Sequence, residues 1–140
     1  MLVLDTNVVS ELFRPSPAPA VVSWYMAQFP EDLFVTAITK AESLLGIALM
    51  PAGRRREGLA SAVRAFYDDR LVTPVLSFGP VEAEHFVEIV FRRRSAGRRI
   101  GEFDAQIAAI ARSHGFAIVT RNVDDFDGCG IEIVNPWEPA

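Results

Sequence analysis

The sequence has few of the residues that build disulfide frameworks and zinc sites. Its 140 residues include one cysteine, Cys129, and two histidines, His85 and His114. A single cysteine cannot form an internal disulfide, which fits a protein of a reducing compartment. Two histidines and one cysteine also fall short of the usual zinc site. Metal chemistry in this chain would therefore depend on oxygen ligands.

Long hydrophobic segments are absent as well. The longest uncharged stretch, "PSPAPAVVSWYMAQFP", contains four prolines and falls short of the roughly 18 apolar residues of a membrane span. The apolar run at the N-terminus follows no basic segment and stops at Asp5, unlike a secretory signal. We therefore expect a cytoplasmic protein that does not insert into a membrane.

The chain also lacks a surplus of positive charge. Its formal net charge of −4 excludes a protein that coats nucleic acid through bulk charge. Half of its residues are hydrophobic, and a domain of this length buries roughly two-thirds of its unfolded surface. We expect one domain over residues 1–140.

Strand-like and helix-like segments alternate along the chain. Apolar runs predict strands at residues 2–4, 33–37, 73–78, 116–120 and 131–135. Segments with apolar residues near a 3.6-residue period predict helices at residues 39–50, 57–69, 80–97 and 101–115. This order indicates an α/β fold, in which a mainly parallel sheet of about five strands carries helices on both faces.

Polar side chains follow several of the predicted strands. They are Asp5, Thr6 and Asn7 after the first strand, Thr36 and Thr39 after the second, and "TRNVDD" (120–125) after the fourth. Ligands of such sheets bind beyond the carboxyl ends of the strands. The sequence therefore predicts a functional site at this edge.

Each acid near that edge also has a structural explanation. Asp5 is a good N-cap residue for the helix that follows it. "TKAE" matches a capping box, with Thr39 as the cap and Glu42 at the third helical position. Asp104 near a helix start is stabilised by the helix dipole, and Asp125 lies in a turn-like stretch.

Taken together, the acids favour a metal site. If Asp5, Glu42 and Asp104 converge, their charges repel one another and burial adds to the cost, so they must share protons or a cation. Oxygen ligands favour Mg²⁺ or Mn²⁺ over zinc. Such an ion activates water and stabilises charge on a phosphoryl group.

Four segments resemble those of a known family: "LVLDTNVVSELFRP", "FVTAITKAESLLGIALM", "GEFDAQIAAIARSHGFAIVTRNVDDF" and "NPWEP". In this order they resemble PIN-domain nucleases, and more narrowly the VapC and FitB-like toxins of type II (VapBC) toxin–antitoxin systems. The resemblance implies a PIN-like three-layer α/β/α sandwich and a Mg²⁺- or Mn²⁺-dependent ribonuclease. It also implies a homodimer and a cognate antitoxin of the VapB or FitA type.

The resemblance also implies roles for particular residues. Asp5, Glu42 and Asp104 match the metal-binding acids. The fourth acidic position of many PIN domains is Asn122 here, and Asp125 is the alternative fourth acid.

Two hydroxyls and an arginine cluster complete the predicted site. Thr6 and Thr120 are expected to hydrogen-bond the carboxylates or the scissile phosphate. Thirteen of the fourteen basic residues are arginine. Arginine forks suit phosphate, so we predict RNA contacts for a cluster near residue 95, although cations are also favoured at a helix end. The cluster comprises Arg92, Arg93, Arg94, Arg98 and Arg99.

The sequence also allows two rival functions. A metal-dependent phosphatase with an aspartate nucleophile typically has a second acid two residues later, where this chain has Asn7. A non-catalytic PIN-like module would use its acids to cap helices and bind a basic partner. For an antitoxin, the sequence predicts an apolar groove between the helix carrying Trp24 and Tyr25 and neighbouring helices such as that of Leu45, Leu49 and Met50.

Overall fold

The computed structural model describes residues 1–138, in which four strands form one sheet. They are β1 (Leu2–Leu4), β2 (Leu33–Phe34), β3 (Ala117–Val119) and β4 (Ile133–Val134). Their order is β2-β1-β3-β4, and every neighbouring pair is parallel. Because the strands are parallel, their carboxyl ends all lie at one edge of the sheet.

Seven α-helices accompany the strands within residues 1–138. They are α1 (Thr6–Leu12), α2 (Pro19–Met26), α3 (Ala37–Ala48), α4 (Arg54–Ala65), α5 (Pro80–Ser95), α6 (Glu102–His114) and α7 (Val123–Phe126). A 3-10 turn, Pro30–Asp32, leads into β2, and a π-helical turn, Phe66–Arg70, continues α4. In this part of the chain, no helix combines the length and apolar character needed to cross a membrane.

The alternation of side chains along the strands divides the core into two parts. In β1, Val3 packs on the side of the sheet covered by α5 and α6, whereas Leu4 packs on the side of α1 to α4. Ile118 and Val119 of β3 repeat this division. The sheet is therefore covered by helices on both faces, as the sequence predicted.

The predicted third strand, residues 73–78, contributes one β-bridge instead of a strand. Leu76 pairs in parallel with Thr36 at the β2 edge of the sheet. The ladder cannot extend because Pro74 has no amide hydrogen and the chain after Thr36 turns into α3. The sheet thus has four strands and one bridged segment, where the sequence indicated about five strands.

Candidate active site at the carboxyl edge of the sheet

Three acidic side chains face one cavity beyond the carboxyl ends of β1 and β3. The cavity has a volume of about 460 Å³, and its lining includes Asp5, Glu42 and Asp104. Asp5 follows β1, Glu42 lies on α3, and Asp104 lies in the first turn of α6. The structure therefore brings together the three acids that the sequence singled out.

Asp5 is the most buried of the three acids, with 3% of its surface exposed. One carboxylate oxygen accepts a hydrogen bond of 2.8 Å from the amide of Thr6, so Asp5 is the N-cap of α1 as predicted. The other oxygen accepts a bond of 2.8 Å from the hydroxyl of Thr120. Burial raises the pKa of Asp5 to about 6, and the charges of Asp104 and Glu42 add to the rise.

Glu42 lies inside α3 instead of in the predicted capping box. The N-cap of α3 is Thr36, whose extended backbone lets its hydroxyl accept a bond of 3.1 Å from the amide of Thr39. The prediction of Thr39 as the cap is therefore wrong, because the helix begins before this residue. Glu42 instead accepts a bond of 2.8 Å from the hydroxyl of Thr6, which ties α3 to the start of α1.

Asp104 is the third acid that lines the cavity. It is half-buried near the N-terminus of α6. Burial raises the pKa of its carboxyl, and the charges of Asp125 and Glu42 contribute. Among residues 1–138, none of Asp5, Glu42 and Asp104 forms a salt bridge with a basic side chain. The three carboxylates are therefore not neutralised by a direct ion pair, although Arg14 and Arg121 also line the cavity.

Of the two candidates for the fourth position, Asn122 lines the acidic cavity and Asp125 does not, although both line a neighbouring pocket. Asn122 lines the cavity, and its backbone amide donates a hydrogen bond of 3.0 Å to the hydroxyl oxygen of Thr120. Asp125 lies on α7 and lines a neighbouring pocket. Its charge nevertheless raises the pKa of Asp104, so it stands close to the acidic cavity.

The donor set of the cavity fits a hydrated divalent cation. Asp5 is a buried carboxylate with no cationic partner in the described part of the chain, and Glu42 and Asp104 supply further oxygens. Within residues 1–138, no group of three or more Asp, Glu, His or Cys side chains lies close enough together to hold a metal ion. Mg²⁺ is usually held by one or two carboxylates and keeps several waters, so fewer than three protein ligands suffice.

Arg93, one of the predicted RNA-binding residues, is buried. It is 4% exposed, and its guanidinium donates to the backbone carbonyls of Asp124, Asp127 and Arg99 at 3.0, 2.6 and 3.2 Å. The predicted contact between Arg93 and RNA is therefore wrong, because this side chain fastens the chain around α7 to α5.

The other four arginines of the predicted cluster are exposed. Arg98 forms an ion pair of 2.7 Å with Asp127. Arg92, Arg94 and Arg99 have no carboxylate partner among residues 1–138. For these residues contact with RNA stays a prediction.

The cavity is also lined by residues that the sequence reasoning missed. Ser10 and Glu11 line it from α1 and Arg14 from just after this helix, beside Asn7, which the sequence had placed at this edge. The spacing of three and four residues from Asn7 to Ser10 and Glu11 places these side chains on one face of α1, and this spacing is visible in the sequence. Arg14 lies 3.3 Å from the carboxylate of the buried Glu11.

Two further missed residues come from the other end of the chain. Arg121 and Trp137 line the cavity, and the guanidinium carbon of Arg121 lies 5.4 Å from the centre of a Trp137 ring. No local pattern in the sequence joins these two positions, since Trp137 reaches the cavity only because β4 pairs beside β3.

A second cavity, of about 780 Å³, adjoins the first. It lies between α3, α4 and the end of α1, and its apolar lining includes Phe13, Ile47, Met50, Leu59 and Val63. The sequence predicted a groove beside α2 instead. Trp24 and Tyr25 of α2 are half-buried against the core. The two cavities are adjacent and share three lining residues: Ser10, Arg14 and Glu42.

The chain is similar to known proteins over most or all of its length. The family model described as PIN domain matches residues 2–128. The chain is 41% identical over 140 residues to VapC ribonuclease Y4jK of Sinorhizobium fredii, covering 100% of both chains. It is 33% identical over 137 residues to Toxin FitB of Neisseria gonorrhoeae, covering 98% of this chain and 99% of that one.

A solved structure has the same fold. The superposition on the structure of FitAB bound to IR36 DNA fragment has a TM-score of 0.94 at 32% identity, covering 100% of this chain and 98% of that chain. Together with the matched family model, this confirms the predicted resemblance and the three-layer α/β/α architecture. The chain belongs to the PIN-domain family.

Proposed function

We propose that the protein is a metal-dependent ribonuclease that acts as the toxin of a toxin–antitoxin pair in the cytoplasm. The observation that carries the proposal is the buried carboxylate of Asp5, which faces a cavity shared with Glu42 and Asp104 and has no cationic partner among residues 1–138. Relatives named VapC ribonuclease and Toxin FitB support the same activity and role.

The proposed ion is Mg²⁺ or Mn²⁺, held by Asp5, Asp104 and Glu42. When bound, an ion of this kind lowers the pKa of a water and neutralises charge on the phosphodiester. The oxygen-only donor set favours these two ions over zinc.

The side chains around the acids prepare them for this task. The amide of Thr6 and the hydroxyl of Thr120 each hold one oxygen of Asp5, so its orientation is set before any ligand arrives. The hydroxyl of Thr6 holds Glu42 in the same way. Asn122 offers a neutral amide at the cavity, and Asp125 is the alternative fourth acid. In the proposed reaction, water attacks an RNA phosphodiester in line and leaves 5′-phosphate and 3′-hydroxyl ends.

The apolar cavity between α3 and α4 suits a protein partner. We propose that an amphipathic helix of a VapB- or FitA-like antitoxin docks there, since such helices bind apolar grooves. Because the two cavities are adjacent and both are lined by Glu42, a basic side chain of that partner can extend to the acids and exclude RNA. A second copy of the chain would cover another apolar surface, the exposed Val87, Phe91 and Phe103 of α5 and α6, in a homodimer.

Cleavage of RNA by the purified protein is the direct test. We expect cleavage in Mg²⁺ or Mn²⁺, none in EDTA, and none with Asp5→Ala in any condition. Asp69→Ala removes an exposed acid of the turn after α4 and should cleave like the wild type. Cleavage by Asp5→Ala, or undiminished cleavage in EDTA, would refute the proposed chemistry. RNA binding without cleavage would instead favour a non-catalytic module.

Expression in a bacterial host tests the role as a toxin. The wild type alone should arrest growth, whereas Asp5→Ala should not. Growth arrest should disappear when a cognate antitoxin is co-expressed. A wild-type protein that is harmless without any partner would contradict the toxin assignment even if it cleaves RNA in vitro.

A further inference from the structure

We propose that Arg121 and Trp137 form a contact site for single-stranded RNA on the rim of the acidic cavity. In this site, an RNA base stacks on the indole of Trp137 and the guanidinium of Arg121. Arg121 also binds a backbone phosphate next to the cleaved bond. The inference rests on the proposed ribonuclease function and names residues that hold its substrate.

The backbone of each residue in the pair is held by a hydrogen bond to a nearby asparagine. Arg121 follows the end of β3, and its amide donates a bond of 3.4 Å to the side-chain oxygen of Asn7. The amide of Trp137 donates a bond of 3.0 Å to the side-chain oxygen of Asn135, just after β4. The guanidinium lies 5.4 Å from the indole ring, within the range of a cation–π contact. The segments after two adjacent strands therefore bring a guanidinium and an indole ring together at the cavity.

Arg121 supplies a positive charge at the cavity of a protein whose net charge is negative. With a net charge of −4, the chain cannot attract RNA by bulk charge and needs cations placed at the site itself. Arg121 is exposed and forms no salt bridge in the described part of the chain, although Asp124 and Asp125 line the pocket on its other side. Its donors are therefore free for phosphate oxygens, which the guanidinium fork binds well.

Other arginines are less suited to this task. Arg14, which also lines the cavity, lies 3.3 Å from the carboxylate of Glu11. Arg112 pairs with Glu88 at 2.8 Å, and Arg93 is buried. Arg121, in contrast, lines the cavity and forms no salt bridge with any of residues 1–138.

Trp137 is placed to contact an RNA base as well as to pack against the core. It is half-buried, packing against the core on one side while lining the cavity on the other. Bases of single-stranded RNA stack on aromatic rings and guanidinium planes, whereas bases of a duplex are already stacked on one another. Loss of one such stacking contact weakens binding by roughly 5- to 150-fold. The cavity volume of about 460 Å³ falls within the roughly 300–1,000 Å³ of usual ligand sites.

Tryptophan fluorescence gives a test that does not depend on cleavage. The chain has two tryptophans, so a Trp24→Phe background leaves Trp137 as the sole reporter. A short single-stranded RNA, titrated in EDTA, should quench its emission and reach saturation, and the same RNA in a duplex should not. In this background Arg121→Gln should weaken binding by about tenfold. Arg64→Gln, a change of an exposed arginine on α4, should leave it unaltered.

Steady-state kinetics then separate this inference from the proposed function. With Mg²⁺ or Mn²⁺ present, Arg121→Gln and Trp137→Leu should raise KM by tenfold or more, and Trp137→Phe should retain most of the affinity. Cleavage with an unchanged KM in both variants, or equal quenching by duplex RNA, would overturn the contact site while the ribonuclease assignment stands. Saturable quenching without cleavage in either metal would overturn the ribonuclease assignment instead. If Trp137→Leu does not fold, the KM of Arg121→Gln and the quenching measurement still test the contact site.

Discussion

The hydroxyl of Thr120 donates a hydrogen bond of 2.8 Å to the carboxylate of Asp5, joining the residues that follow β3 and β1. The same hydroxyl oxygen accepts bonds of 3.1 Å from the side chain of Asn7 and 3.0 Å from the amide of Asn122. A donor to a carboxylate lowers its pKa, so this bond opposes the rise that burial causes in Asp5. Thr120 thereby favours the ionised Asp5 that binds a metal.

Replacing Thr120 should change the titration of Asp5. We expect Thr120→Val to raise the pKa of Asp5 beyond about 6, because burial remains and the donor is lost. The pH at which cleavage is half-maximal should rise with it, and Thr120→Ser should restore both. Carbon NMR of the Asp5 carboxyl in metal-free protein measures the pKa directly. An unshifted titration in Thr120→Val would contradict this role of the hydroxyl.

The raised pKa of Asp5 also predicts how the stability of the metal-free protein depends on pH. A carboxyl whose pKa is higher in the folded state binds more protons when folded, so stability falls as pH rises through the interval between the two pKa values. For Asp5 this interval runs from 3.8 to about 6, and the raised pKa of Asp104 acts in the same direction. The shift of Asp5 corresponds to a loss of about 3 kcal/mol in the free energy of unfolding by neutral pH.

Urea unfolding in EDTA at pH 5 and pH 7.5 measures this effect. The wild type should lose more stability over that range than Asp5→Asn, which has no charge to bury at this position. Glu82 and Asp127 have lowered pKa values and act in the opposite direction, but they are the same in both proteins, so the difference isolates Asp5. Mg²⁺ at neutral pH should recover stability in the wild type only. Parallel pH profiles would contradict the prediction.

The third prediction ranks two polar residues of the cavity. Asp104→Asn should abolish cleavage while the protein stays as stable or becomes more stable, because one of several crowded charges is removed. Asn122→Ala should reduce the rate less, because it removes a neutral amide instead of a charged ligand. Asp68→Asn, an exposed acid after α4, is the matched control for both rate and stability. Equal rate losses for Asp104→Asn and Asn122→Ala would show that this ranking is wrong.

The part of the site built from strand ends could be predicted from the sequence. An apolar run such as "LVL" that stops at Asp5 marks both a buried strand and a polar group at its carboxyl end. The parallel pairing of β1 with β3 then brings Asp5 and Thr120 together, but the sequence did not indicate which strands are neighbours. Asp104 lies on a helix instead of at a strand end, so its role was expected only from the joint pattern of acids and the family resemblance.

The remaining parts depend on contacts that local patterns do not encode. "TKAE" matches a capping box, yet the N-cap of α3 is Thr36. Thr36 forms the β-bridge with Leu76, and the helix begins directly after it. Arg93 has the same sequence signal as its exposed neighbours, and only the fold decides that it faces the carbonyls around α7. Trp137 likewise reaches the cavity through the pairing of β4 with β3.

The burial of Arg93 gives the fourth prediction. Arg93→Met should lower the free energy of unfolding by about 2–3 kcal/mol, because three backbone carbonyls lose a charged donor. Arg94→Met alters an exposed neighbour on the same helix and should change stability by no more than about 0.5 kcal/mol. Denaturant unfolding of both variants measures the difference. Equal stabilities would mean that the carbonyls find other donors.

The cavity between α3 and α4 contains a glycine that allows a selective test of the antitoxin. Gly46 lies on α3 in the lining of this cavity, and a Cβ atom added there meets no atom within 4 Å. Its backbone is helical, so a side chain is compatible with the local conformation and improves helix propensity by up to about 1 kcal/mol. A large side chain at this position would therefore project into the cavity without disturbing the core.

We expect Gly46→Leu to cleave RNA as the wild type does, because Gly46 does not line the acidic cavity. The same variant should bind an antitoxin at least tenfold more weakly, since its side chain occupies the space proposed for the partner helix. Gly46→Ala, which adds one methyl group to the same site, is the control and should bind more like the wild type. In cells, an antitoxin that neutralises the wild type should fail to rescue growth against Gly46→Leu. Full rescue at equal expression, with unchanged affinity in titration calorimetry, would place the antitoxin on another surface.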